Sequence, residues 1–287
     1  MQGTGQDIPG RITNIFHPSD FSGASERAFA HALRIALIAN ANLNIMHVAS
    51  DGLAEWSDMA AVRPMLERWG LLPPGSPRSA VADLGVGVKK VMSLHKDPVR
   101  AVLAYLDSHR TDLIVLATRQ HEGRVRWFHD SVARPIAEGA GQMTLFLPQG
   151  REGFVSVEDG SMSLANILIP IAHEPAAQPA IEAVRRMTGM LNLDAGTVTL
   201  LYVGRSEDIP AVELPHDTGW TWTTITGDGD VVDNIVQSAE KTAAGLVVMT
   251  TDGRQGFLDA LRGSHCERVL NRIPCPLLNL PVGSFLG

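Results

Sequence analysis

The strand and helix signals in the first half of this chain recur in the same order in the second, offset by about 150 residues. No other feature of the sequence restricts the fold as much. In the first unit an apolar run at 12–18 leads through Ser19, Asp20 and Ser22 into an alanine-rich segment, 24–41, whose apolar positions recur at helical spacing. A second apolar run at 43–48 and a poorly patterned stretch follow. Then come a strand signal at 86–92, a helix over about 98–109 and a buried-strand run at 113–117. A helix near 131–140 and a short strand at 144–147 close the unit. From Asn166 the order starts again, with strand signals at 167–171, 197–203, 220–226, 246–249 and 276–280. Helices are expected between them at 176–191, 231–244 and 264–271. Strands alternating with helices of this length imply parallel β-α-β units with helices on both faces of each sheet. The expected fold is therefore α/β, with two tandem doubly wound domains, 1–150 and 164–287, each a five-stranded parallel sheet flanked by helices. Gly, Ser and acidic residues mark 149–163 as the linker.

Composition agrees with two packed units in 287 residues and narrows the function classes. With 45% apolar and 19% charged residues the chain is globular, and collagen-like, disordered and coiled-coil classes are excluded. No window approaches the roughly 18 apolar residues of a membrane span, and 1–10 carry neither a basic nor an apolar export signal. A cytoplasmic protein with no membrane partner is expected. Cys266 and Cys275 are too few for a disulfide framework or a cysteine-rich zinc site, and both read as inert buried thiols. The net charge of −7 is uneven: up to Gly150 there are 15 Lys and Arg against 14 Asp and Glu, and beyond it 9 against 17. Neither half carries a basic footprint for nucleic acid, although Arg119, Arg124 and Arg126 concentrate positive charge in one stretch.

A glycine-bearing loop that follows a parallel strand and ends where a helix begins suits phosphate. Backbone N–H groups approach closely there, and the helix N-terminus adds a favourable dipole. Gly253, Gly263 and Ser264 meet that description, with Arg254 as an added charge; the same residues also serve simply to turn the chain and cap a helix. Asp20 has two such readings as well, as a cap or turn residue shared with Ser22 and as a ligand contact. The ten histidines form no metal-binding spacing, and Walker A, dinucleotide and Gly-x-Ser-x-Gly signatures are missing. Trp220 and Trp222 share one face of a strand and read as packing or interface residues.

Several short motifs stand at matching places in the repeat. They are Pro18-Ser19-Asp20-Phe21-Ser22 after the first strand, Asp112 with the apolar run to Thr118, and Ser131-Val132-Ala133 opening a helix. In the second half they are Gly253-Arg254-Gln255-Gly256, Gly263-Ser264 and Ile273-Pro274-Cys275-Pro276-Leu277. Over nearly the whole chain this set resembles the universal stress protein family in a tandem, two-domain form. ATP-binding members of that family carry a loop of Gly, two residues, Gly, nine residues, then Gly and Ser or Thr. The second half matches it as Thr250, Gly253 and Gly263-Ser264, with only the first glycine replaced. In the first half Ala117, Gln120 and Asp130-Ser131 keep the spacing and lose every glycine. The family also places a nucleoside-holding Asp after the first strand, which is Asp20 in the first half and Ala172 in the second, where His173 is a candidate replacement.

The resemblance implies an adenine nucleotide, ATP first, held by Thr250, Gly253, Arg254, Gly263 and Ser264, with Asp20 and Ser131 a weaker set in the first domain. It implies no metal for the fold and no catalytic residues. Two functions stay open: a non-enzymatic stress-response protein that binds nucleotide in its second half, and a nucleotide-independent adaptor recruiting an unknown protein partner. An adenylating enzyme is the third class, and the His motifs such enzymes use after the first strand are missing. Family domains bury an edge in dimers, so the halves are expected to pair internally through 142–147 and 276–280; a homodimer remains open.

Overall fold

The computed structural model describes residues 11–49, 59, 61–118, 133–216, 219–251 and 265–282. The first half contains β1 (Asn14–Pro18), α1 (Gly23–Ala39), β2 (Asn42–Ala49), α2 (Val62–Arg68), α3 (Ala80–Asp83), β3 (Gly87–Leu94), α4 (Pro98–Ser108), β4 (Leu113–Thr118), α5 (Ala133–Ala140) and β5 (Met143–Pro148). The second contains β6 (Asn166–Ile171), α6 (Gln178–Met190), β7 (Gly196–Val203), β8 (Trp220–Gly227), α7 (Val231–Lys241), β9 (Leu246–Thr251), α8 (His265–Leu270) and β10 (Leu277–Pro281). The poorly patterned stretch after β2 thus holds two short helices that its weak periodicity did not announce.

The strands form one ten-stranded sheet in the order β3-β2-β1-β4-β5-β10-β9-β6-β7-β8. Each half supplies five parallel strands, and the two sets meet edge to edge where β5 and β10 run antiparallel, Leu145 opposite Leu278 and Phe146 opposite Leu277. These are the two segments expected to pair. The reason is visible in their composition: every residue of both strands is buried, so neither can remain a solvent-facing edge. The edges left over are β3, which carries Lys89 and Lys90, and the threonine-rich β8.

Two apolar layers cover the sheet, and each crosses the junction. One contains α1 and α6 over Ile15, Leu145, Ile169 and Leu278; the other sets Val102, Ile136, Val236 and Val269 over Phe16, Phe146, Leu168 and Leu277. Local signals set the element ends. Ser22 caps α1 by accepting the Ser25 N–H at 3.2 Å, and Asn40, at φ 50°, closes the helix in the left-handed region. Asp97 caps α4 ahead of Pro98. Asp112 joins the start of β1 to β4, its Oδ2 accepting from Thr13 N, Thr13 Oγ1 and Asn14 N at 2.7–2.9 Å.

The stretch 149–163, read from the sequence as the linker, packs against the first half. Phe154 and Val155 are buried, Val155 bridges Met162, and Trp69 donates its indole N–H to the Val157 carbonyl at 3.0 Å. Gly160, at φ +68°, lies against the Trp69 ring, where a Cβ would meet it at 2.5 Å. Its two aromatic contacts could not be read from a composition of Gly, Ser and acidic residues.

Candidate functional site

In an open parallel sheet, ligands collect outside the carboxyl ends of the strands where the strand order reverses. That reversal falls between β1 and β4 in the first half and between β6 and β9 in the second.

At the first reversal β1 delivers Pro18 into the turn that starts α1. The Asp20 Oδ1 accepts the Ser22 N–H at 3.1 Å and the Ser22 hydroxyl at 2.6 Å. Asp20 is thus the turn residue and Ser22 the cap, which divides the work the sequence left shared. Phe21 sits at φ 64° and stacks on His47 with ring centroids 3.9 Å apart, while the His47 Nδ1–H donates to the Ser19 carbonyl at 2.7 Å.

Beneath this turn lies a polar chain that sequence reasoning missed. His17 is fully buried, and its Nδ1–H donates to the Val115 carbonyl of β4 at 3.0 Å. Its Nε2 therefore accepts, and the Ser25 hydroxyl stands 3.3 Å away to donate. The Ser19 hydroxyl then donates to Ser25 Oγ at 3.0 Å. Burial pushes the His17 pKa down to about 4, against the opposing pull of the Val115 carbonyl and the Asp20 charge, so the ring is neutral. The signal available in the sequence was a histidine inside the otherwise apolar run 12–18. Beside the turn opens a cavity of about 270 Å³, lined among others by Ser19, Ser22, Ser25, Glu26 and Arg68. Arg68 is tied to Glu26 at 3.2 Å.

The second reversal is built differently. After β6, Ala172 bridges Ala176, and α6 begins only at Gln178, behind Ala177, which caps with no side chain. His173 is the residue considered from sequence for the place of the missing carboxylate. Its Nε2 is held at 2.9 Å by the Asp208 carbonyl, and its ring stands edge-on to Tyr202 at 6.2 Å. On the other wall Thr250 is half-buried near the carboxyl end of β9, opposite Leu280 of β10. The next residue, Thr251, is 4% exposed, and its hydroxyl has no hydrogen-bond partner among the described residues. Gly253, Arg254, Gly263 and Ser264 lie outside the described residues, as do Ser131, Asp130 and the arginines at 119, 124 and 126.

Other candidates resolve as structure. Cys275 is buried, and burial pushes its thiol up to about 12, where it is inert. Trp220 belongs to the core and donates its indole N–H to the Leu193 carbonyl at 2.9 Å; Trp222 packs partly buried against the same core. Among the described residues no group of three His, Cys, Asp or Glu converges as a metal site, and no helix is long and apolar enough to cross a membrane.

The model of the Universal stress protein family matches residues 12–148 and 211–281. Among solved structures the chain is similar to a universal stress protein from Archaeoglobus fulgidus DSM 4304. The two are 15% identical with a TM-score of 0.62, over 94% of this chain and 98% of that one. It is also similar to a functionally unknown protein from Pseudomonas aeruginosa PAO1, at 12% identity and a TM-score of 0.56, over 94% and 92%. At these identities the likeness is one of fold. No curated protein matches the chain.

Proposed function

The chain belongs to the universal stress protein family, and on that premise we propose that it is a stress-response protein without catalytic turnover that holds ATP or another adenine nucleotide in its second half. The observation that carries this reading is the position of Thr250. It stands near the carboxyl end of β9, beside the reversal of strand order, and opens the spacing Thr250, Gly253, Gly263-Ser264. In this reading the glycines let backbone N–H groups approach the phosphates, Ser264 and the start of its helix add a hydroxyl and a dipole, and Arg254 adds charge. The first half is disfavoured on chemistry. Asp130 replaces a loop glycine there, and a carboxylate about 4 Å from a phosphate charge repels it by roughly 4 kcal/mol at an effective dielectric near 20.

One observation favours the second reading, an adaptor that binds no nucleotide. The β6–α6 turn has Ala172 where a ribose acceptor is needed, and its His173 is engaged by Asp208. Chromatography of the denatured, freshly purified protein separates the two readings, with adenine nucleotide expected in the supernatant. Titration with a fluorescent ATP analogue then assigns the half: Gly263→Asp is expected to abolish binding and Ser131→Ala to retain it. The opposite pattern moves the site to the first half, and no binding in the unsubstituted protein leaves the adaptor. Phosphate release from ATP is expected at background level, and a robust rate abolished by Gly263→Asp would refute the non-enzymatic reading.

A further inference from the structure

We propose that the junction between the two five-stranded sets is a binding site for a free medium-chain carboxylate, its alkyl tail in an apolar cavity and its head group at Arg11 and Arg186. The helix α1 packs over β4 and β5 and α6 over β9, which leaves the antiparallel joint of β5 and β10 only partly roofed. The gap is a cavity of about 170 Å³. Its floor and walls include Ile35, Leu113, Leu145, Phe154, Ala183 and Leu278, all buried. These residues come from both halves and from the linker, so an occupant touches all three.

The lining is two-ended. Among its residues those that retain exposure are Arg11, which is exposed, and Arg186, Met187 and Met190, which are partly so; the mouth is therefore on their side. Among the described residues of the lining Arg11 and Arg186 are the only charged ones, and both are cations in a chain whose net charge is −7. An apolar end and a cationic rim select an anionic amphiphile. The size selects its length: an apolar cavity of roughly 150 Å³ stays dry and takes a guest the size of benzene. A single short chain fits that volume, and the paired long tails of a phospholipid do not. Methionines at the rim suit a flexible alkyl guest because the unbranched thioether adapts its shape.

The test uses the full-length protein with ¹³C-labelled methionine methyls, octanoate as the probe and octan-1-ol as its uncharged counterpart. Saturable shifts of the Met143, Met187 and Met190 methyls are expected with octanoate, while Met46, which belongs to the opposite apolar layer, stays in place. Loss of the charge-assisted contacts in the double variant Arg11→Gln, Arg186→Gln should weaken octanoate about tenfold and leave octan-1-ol unchanged. Ala183→Leu fills the cavity and should abolish both, with Ala183→Val as the milder variant if the first does not fold. Absence of saturable shifts overturns the proposal. So does octanoate binding that survives the alanine variants, or octanoate binding that is unaffected by loss of both arginines.

Discussion

His31 is buried in α1, with its Nδ1–H donating to the Arg27 carbonyl at 2.8 Å and its Nε2 accepting the Val155 N–H at 3.1 Å. Both bonds require the neutral ring, because a proton on Nε2 would point a second N–H at Val155. Phe154 meets the ring edge-on at 4.7 Å, and a Cβ on Gly153 would run into its Nε2, so one histidine fixes three consecutive linker residues. Burial lowers the pKa of His31 and of His17 to about 4, from 6.5. Both folded values lie below the unfolded one, so between them the unfolded chain binds the extra protons. The stabilisation is therefore complete above pH 6.5, is lost as pH falls towards about 4 and levels off below that. Each ring can contribute up to about 3 kcal/mol over that window. The urea midpoint should fall on acidification, and the fall should shrink to about half in His31→Gln; an unchanged pH slope in that variant would contradict the assignment. The sequence exposed His17 as a break in an apolar run, yet its acceptor, Val115, lies 98 positions away. Pairings of that separation leave no local trace.

Among the elements, α1 and α6 occupy corresponding places in the two halves and start by different means. The first begins on Ser22, supported by Asp20, whereas the second begins behind Ala177 without a side-chain cap. Ser22→Ala should cost about 1 kcal/mol in urea unfolding, the usual value of such a cap. Asp20→Asn keeps an oxygen for the Ser22 donors and should cost less. An equal loss in the two variants would mean that the Asp20 charge, rather than its geometry, holds the turn. Element order and type were legible because strands such as β4, buried at all six positions, read as continuous apolar runs, while α1 and α4 carry helical periodicity with recognisable caps. Ends were less so. The segment expected as helix over 231–244 stops at Lys241, and Ala243 takes φ 46° to turn the chain into β9. An alanine carries no turn signal, so that stop follows from the packing of Ala244 into the core beside it.

For the whole molecule, both apolar layers run across the joint between β5 and β10, so the halves share their cores. Unfolding should be a single urea transition for the full chain despite its internal repeat. Leu278 is 4% exposed and stands opposite Leu145 at the centre of the joint, and an unpaired charge has no partner there. Leu278→Asp should destabilise by more than about 3 kcal/mol and, if the protein still folds, split the transition into two. Two resolved transitions in the unsubstituted protein would show instead that the halves are energetically independent.

The repeat, the α/β class, the parallel pairing within each half, the two strands that meet and the family were determined by the sequence itself. The first three rest on periodicity and the family on short motifs, both of which are local; the two strands that meet were implied by the resemblance those motifs carry. Three things were decided only by the tertiary structure: the linker folds down through Phe154 and Trp69, His17 joins Ser25 and Ser19 in a buried chain, and a cavity remains between α1 and α6. Each depends on side chains from segments far apart in the chain, whose contact is fixed by how two layers of helices fit over one sheet and by no pattern within either segment.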